Sequence, residues 1–153
     1  MPVNEQIIDG CIEGNRDAQE VLYKAYSPTM FGICLRYSKS RDEAQDIMQE
    51  GFIKVFGNIH KFRKEGSLEG WVKRIMVNTS LNYIQKQKRS QYHKDIDEIN
   101  ELNIENMEEP EPDIQYHQNE LLEIIQKLPS GYKSVFNLYV FEKYKHREIA
   151  EIL

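Results

Sequence analysis

Apolar residues recur at steps of three and four along most of the chain, and no segment alternates apolar and polar residues between turn residues. This spacing predicts α-helices rather than β-strands. The clearest helix begins after Ser40, because Ser40 and Glu43 fit a capping box. An apolar face then runs from Ala44 to Ile59. The expected fold class is therefore all-α.

Further helices are predicted on either side of this one. The first covers Val3 to Ile12 and ends at Gly14. Other starts are expected where a cap or a proline precedes an apolar run, at Asp17, Ser27-Pro28 and Ser67. The helix after Ser67 has four expected core positions, Leu68, Trp71, Ile75 and Met76. Asn78 is a candidate cap for a new helix that continues to Gln91.

An acidic segment separates two helical blocks. Residues 95–117 contain Pro110 and Pro112 and no sustained apolar period, which predicts a flexible, disordered linker. Three short helices are expected beyond it, from Asn119 to Leu128, Tyr132 to Phe141 and His146 to Leu153. The inward positions expected in the second of these are Val135, Leu138 and Tyr139. The predicted organisation is thus a helical domain over 1–94, a linker over 95–117 and a second helical unit over 118–153.

The net charge of −5 is unevenly distributed along the chain. Residues 1–94 hold 15 Lys and Arg against 11 Asp and Glu, whereas residues 95–123 hold 11 acids and no Lys or Arg. Within the first block, Lys54 to Lys94 carries 10 bases and two acids, a net of +8. Such a segment attracts polyanions, although basic helices are also often simply solvated.

Several classes of protein are excluded by the residues present. The chain has no Gly-rich phosphate loop and no catalytic motif, and its four His residues are scattered without ligand spacing, so we expect no enzyme activity, no metal and no cofactor. Cys11 and Cys34 are interpreted as buried thiols. No apolar run is long enough to span a bilayer and no signal peptide is present, so we expect a cytoplasmic protein without membrane insertion.

The stretch from Phe62 to Arg89 interleaves basic, aromatic and amide side chains. Bases hold phosphates, aromatic rings stack on unpaired bases, and Asn reads base edges, so this mixture favours nucleic-acid binding. A structural interpretation competes with it, since Trp71 and Tyr83 also have the helical spacing of core residues.

The run from Asp42 to Phe56 resembles conserved region 2.2 of the bacterial RNA polymerase sigma factors of the extracytoplasmic-function (ECF) class. Downstream, Phe62-Arg63, Gly70-Trp71-Val72, Asn78-Thr79 and the bases from Lys86 to Arg89 resemble the regions that open and read the promoter minus-ten element. Three further pieces resemble the start of sigma region 4, namely Leu128-Pro129, Tyr132 to Phe141 and His146 to Leu153.

The resemblance implies a promoter-specificity subunit that binds core RNA polymerase and promoter DNA, with an anti-sigma factor as a further partner. In the family, region 2.2 docks on the clamp helices of the largest polymerase subunit, which here implicates Asp46, Gln49 and Glu50. Without the resemblance, these three would be a plain solvated helix face. The implied promoter-binding residues are Arg63, Trp71, Lys73, Arg74, Asn78, Asn82, Lys86, Lys88 and Arg89. Asn78 occupies the position that contacts a flipped minus-ten base in relatives, and a helix-capping role is its structural alternative.

Region 4 is only partly represented, because the sequence stops at Leu153, within the first half of the implied helix-turn-helix. The recognition helix for the minus-thirty-five element would follow it. The leading hypothesis is an ECF sigma factor that directs promoter recognition and melting. A polymerase-binding interaction protein, or a non-initiating sigma fragment without minus-thirty-five recognition, is the main alternative. A small helical nucleic-acid enzyme is a third hypothesis, disfavoured by the missing catalytic residues.

Overall fold

The computed structural model describes residues 3–90 and 118–153. These ranges contain seven α-helices and no strand, so the all-α prediction is confirmed for the described residues. The helices are α1 (Glu5–Ile12), α2 (Arg16–Tyr37), α3 (Arg41–Asn58), α4 (Leu68–Ser90), α5 (Gln118–Lys127), α6 (Ser130–Val140) and α7 (His146–Ile152). A 3₁₀ turn, Ile59–Lys61, follows α3. The predicted linker over 95–117 and the predicted boundary at residue 94 lie outside the described residues.

The turn between α1 and α2 is built by an asparagine and a glycine. Gly14 follows α1 with a φ of 80°, a conformation that glycine adopts without strain. Asn15 then caps α2, because its Oδ1 accepts hydrogen bonds from the backbone N–H groups of Asp17 at 2.9 Å and Ala18 at 3.2 Å. The prediction that Asp17 is the cap was wrong by two residues. Asp17 lies instead in the first turn of α2, where its charge suits the helix dipole.

The predicted break at Ser27-Pro28 is also absent, since α2 continues through Pro28 without interruption. Proline removes one backbone hydrogen bond from a helix interior and normally disfavours it. Here residues on both sides of Pro28 are buried in the same core, including Leu22, Met30 and Cys34. Packing of this one long face offsets the missing hydrogen bond and keeps a single helix.

The starts of α3 and α4 were predicted correctly. Ser40 Oγ accepts from the N–H of Glu43 at 3.2 Å, and the Glu43 carboxylate accepts from the N–H of Lys39 at 3.2 Å. Ser67 Oγ accepts from the N–H of Gly70 at 2.8 Å. In contrast, Asn78 caps nothing, because α4 runs unbroken from Leu68 to Ser90 and places Asn78 in its interior.

The core of the first helical block is formed by α1, α2, α3, the 3₁₀ turn and one side of α4. α2 packs against both α1 and α3. Both cysteines are buried within it, as predicted. Trp71 and Ile75, which were expected in the core, are only half-buried, because the buried side of α4 is centred on Val72 and Met76. The fully or almost fully buried apolar side chains include Leu22, Met30, Ile33, Cys34, Ala44, Ile47, Val55, Ile59, Val72 and Met76.

The helices α5 to α7 follow the predicted order, with Pro129 between α5 and α6. α6 begins at Ser130 rather than Tyr132 and buries Leu138. Tyr139, expected to point inward, is 52% exposed and stacks on His146 of α7, with ring centroids 4.6 Å apart. The chain divides into two compact units between Leu81 and Asn82, a point that lies within α4. Among residues 3–90 and 118–153, no helix is long and apolar enough to cross a membrane.

Candidate polymerase-docking and nucleic-acid surfaces

The first candidate surface lies on the outer side of α3. Asp46, Gln49 and Glu50 are three and four residues apart, so they share one side of the helix. Asp46 and Gln49 are exposed, and Glu50 is half-buried. The residues between them, Ile47 and Met48, are buried in the core. The structure therefore places all three predicted docking residues on one side of α3. Their polar groups take no part in core packing.

An apolar residue completes this surface. Ile53 lies three residues after Glu50 and seven after Asp46, and it is 72% exposed. Beside it, Lys54 Nζ lies 3.7 Å from Glu50 Oε1, so the Glu50 carboxylate already has an intrahelical ion-pair partner. We call the surface formed by Asp46, Gln49, Glu50 and Ile53 the α3 face.

The second candidate surface is a narrow stripe along α4. Trp71, Arg74, Asn78, Asn82 and Gln85 follow one another at steps of three and four, the spacing of residues on one helix side. Four of them are exposed and Trp71 is half-buried. We call this set the α4 stripe. It combines an aromatic ring, a guanidinium and three amides, which are groups that stack on bases, pair with phosphates and read base edges.

The aromatic end of the α4 stripe is held by the preceding loop. The ring of Phe62 lies 5.6 Å from that of Trp71, with an angle of 48° between the planes. The two rings are in contact, and the half-buried ring of Trp71 remains partly accessible. In the same loop, Arg63 is exposed, and Lys64 Nζ lies 3.5 Å from Asp9 Oδ1 of α1.

The remaining predicted DNA-binding residues are placed differently. Lys73 is half-buried and lies about 100° around α4 from Arg74, away from the centre of the α4 stripe. Lys86 is exposed and lies about 80° from Asn78 around the same helix, at the edge of the stripe. Lys88 and Arg89 belong to the last turn of α4, and their side chains lie outside the described residues.

Two residues of these surfaces were missed by the sequence reasoning. Gln85 lies three residues after Asn82 and seven after Asn78, so extending the helical period from Asn78 would have found it. Ile53 could have been found in the same way, because it falls outside the helical period of the apolar face that runs from Ala44 to Ile59. The 72% exposure of Ile53 agrees with that spacing.

The hydroxyl and thiol groups behind the α4 stripe have structural partners. Thr79 Oγ1 donates to the carbonyl of Ile75 at 2.7 Å, and Ser80 Oγ donates to that of Met76 at 2.8 Å. Burial raises the pKa of the Cys34 thiol to about 11, partly opposed by a hydrogen bond with Ser80. A thiol of this kind is unreactive at neutral pH. Within the described ranges, no three potential ligands of the His, Cys, Asp and Glu types come together to hold a metal ion.

Comparison with known families matches both helical blocks. The Sigma-70 region 2 model matches residues 22–90, a range that includes the α3 face and the α4 stripe. The Sigma-70 region 4 model matches residues 118–153, which contain α5, α6 and α7.

Several curated proteins are similar to this chain over most of its length. The ECF RNA polymerase sigma-E factor of Haemophilus influenzae is 28% identical over 158 positions, covering 98% of this chain and 83% of the relative. RNA polymerase sigma factor SigV of Bacillus subtilis is 30% identical over 122 positions, covering 80% and 69% respectively. The sigma-E factor of Escherichia coli is 29% identical, with coverage of 99% and 85%.

This chain belongs to the sigma-70 family of RNA polymerase sigma factors, within its ECF class. ECF sigma factors direct transcription initiation, and they are initiation factors rather than enzymes. Membership of the family implies binding of core RNA polymerase and of promoter DNA.

Proposed function

We propose that the α3 face docks on the clamp helices of the largest subunit of core RNA polymerase. Asp46 and Glu50 present carboxylates, and Gln49 presents an amide, on a side of α3 that faces away from the core. These groups pair with basic and polar partner side chains through charge-assisted hydrogen bonds. Asp46 contributes more than Glu50, because Glu50 shares its carboxylate with Lys54.

We further propose that the α4 stripe binds the opened minus-ten element of the promoter. The observation that carries this proposal is the position of Asn78, which is exposed in the interior of α4. Its amide is not engaged in helix capping and is available to a base edge. Arg74, one turn before it, and Lys86, at the edge of the stripe, neutralise phosphates, while Trp71 stacks on an unpaired base.

The docking proposal is tested with the variant Asp46→Asn together with Glu50→Gln, which removes both charges and keeps the side-chain shapes. We expect core affinity in a titration with purified core polymerase at low salt to fall by about 1 kcal/mol or more, mainly through slower association, because two accessible carboxylates lose their charge. Glu13→Gln, an exposed acid outside α3, is the matched control and leaves the affinity unchanged. Unaltered core affinity in the double variant would refute the docking proposal.

The promoter proposal is tested with Asn78→Ala on a panel of promoters that differ at single minus-ten positions. Loss of a base-reading amide costs ~1–3 kcal/mol at one position and leaves the others unchanged. Gln6→Ala, which removes an exposed amide from α1, serves as the control. Equal losses at every position of the panel contradict a base-reading role for Asn78.

Run-off transcription with core polymerase separates initiation from polymerase binding alone. A sigma factor yields specific transcripts, whereas the alternative, a polymerase-binding protein that does not initiate, yields none while still competing for core. We propose that the protein acts in the cytoplasm and that an anti-sigma factor regulates it. Pull-down with the intact chain, followed by competition with core polymerase, tests for such a partner.

A further inference from the structure

Ile53 differs from the other apolar residues of α3. It is 72% exposed, whereas Ile47, Phe52 and Val55 of the same helix are at most 3% exposed. A single exposed apolar side chain is common on protein surfaces and by itself indicates nothing. What distinguishes Ile53 is its position on the α3 face, about one helical turn after the carboxylate of Glu50.

Aromatic residues border Ile53 on one side. Phe56 is three residues further along α3, is half-buried, and stacks on Phe52 with ring centroids 6.1 Å apart. Tyr23 of α2 also packs on Phe52, at 4.8 Å, and keeps 36% of its surface exposed. Phe56 is therefore the helical neighbour of Ile53 and is partly exposed, so the apolar surface is larger than one side chain.

Acidic residues precede Ile53 along the same side of α3. Asp42, Asp46 and Glu50 lie at steps of four along α3, and Lys54 is the base next to them. A partner that covers this surface must offer an apolar recess with basic groups around it. An apolar centre with a charged rim is the arrangement in which a few central side chains carry most of the binding energy of an interface.

We propose that Ile53 is the apolar anchor of the contact with core RNA polymerase, seated in an apolar recess rimmed by basic side chains. This inference rests on the proposed docking role of the α3 face. Asp46 and Glu50 set the orientation and the rate of association, and Ile53 sets the lifetime of the complex. The free energy of binding to core polymerase therefore has two parts. The apolar part does not depend on salt, and the ionic part weakens as the salt concentration rises.

The test compares Ile53→Ser with Ile12→Ser in titrations against purified core polymerase at low and high salt. Ile12 is 43% exposed and lies on α1, so it is a matched exposed isoleucine away from the α3 face. We expect Ile53→Ser to weaken core binding about tenfold or more at both salt concentrations, mainly through faster dissociation. Ile53→Met, which keeps the apolar volume, retains most of the affinity. Neither Ile53 variant lowers the melting temperature, because the side chain is exposed.

The outcomes separate this inference from the docking proposal. If the Asp46→Asn, Glu50→Gln variant weakens binding and Ile53→Ser does not, the anchor role is refuted and the docking proposal stands. If neither variant changes core affinity, both are refuted. If Ile53→Ser instead abolishes self-association of the free protein in sedimentation and leaves core affinity intact, the occupant of this surface is a second copy of the chain, which also overturns the inference.

Discussion

Gly10 of α1 is in direct contact with Ala18 of α2, so closely that a Cβ atom at Gly10 would lie 2.6 Å from the Cβ of Ala18. Neither backbone-attached atom can rotate away, so Gly10→Ala must push the two helices apart. Overpacking of this kind costs ~1–3 kcal/mol, partly offset by the roughly 1 kcal/mol by which Ala favours a helix over Gly. We expect a net loss of free energy of unfolding, measured by denaturant titration with circular dichroism.

Gly32 provides the control for this prediction. It lies within α2, and a Cβ there would have no neighbouring atom within 4 Å. Gly32→Ala should therefore stabilise the protein by ~0.5–1 kcal/mol through reduced backbone entropy of the unfolded chain. A stabilising Gly10→Ala substitution would show that α1 and α2 do not approach as closely as described.

Lys73 and Arg74 are neighbouring bases whose contributions to DNA binding should differ. Arg74 is exposed on the α4 stripe, whereas Lys73 is half-buried and points away from its centre. Arg74→Ala should weaken binding to all promoter sequences and reduce the slope of log affinity against log salt by about 1. Lys73→Ala should leave the slope unchanged. Equal slopes for the two variants would mean that promoter DNA contacts more of α4 than the stripe.

Trp71 is the single tryptophan of the protein, so its fluorescence reports directly on the α4 stripe. Stacking of an unpaired base on the exposed part of the ring should quench this fluorescence when a single-stranded minus-ten oligonucleotide binds. Phe62→Leu removes the ring that holds Trp71 and should reduce both the affinity and the quenching. Phe136→Leu is the matched control, because it disrupts the ring pair between Phe136 of α6 and Phe141, which directly follows α6. Saturable binding without a fluorescence change would exclude Trp71 from the contact.

The helices could be predicted from sequence wherever a cap and an amphipathic face coincide. Ser40 and Ser67 each cap the helix that follows, and the apolar positions of α3 are buried as their spacing indicates. The errors lie where local rules conflict with packing. Pro28 and Asn78 are residues that typically begin helices, yet both lie inside helices whose buried faces continue past them.

The residues of the α3 face and the α4 stripe could be predicted only in part. Asp46, Gln49 and Glu50 were found because the sequence pattern around them resembles a known family, and their spacing then places them on one face. The burial of individual basic residues of α4 could not be inferred in the same way. Lys73 and Arg74 are adjacent in sequence, but the direction of α4 relative to the core decides which of them is exposed. The exposure of Ile53, in contrast, follows from its place outside the apolar period of α3.

Cys34 should make the stability of the protein depend on alkaline pH. Burial raises the pKa of its thiol from 9.0 to about 11 in the folded protein. Well below pH 9 the thiol is protonated in both folded and unfolded chains and has no effect on the free energy of unfolding. As the pH rises toward 11, the unfolded chain releases the proton and the folded chain retains it, so the free energy of unfolding falls, by on the order of 2 kcal/mol. Urea unfolding of the wild type and Cys34→Ala at a series of pH values measures this difference. The variant should lose the additional alkaline decline, and parallel pH profiles for the two proteins would show that Cys34 ionises as readily when folded as when unfolded.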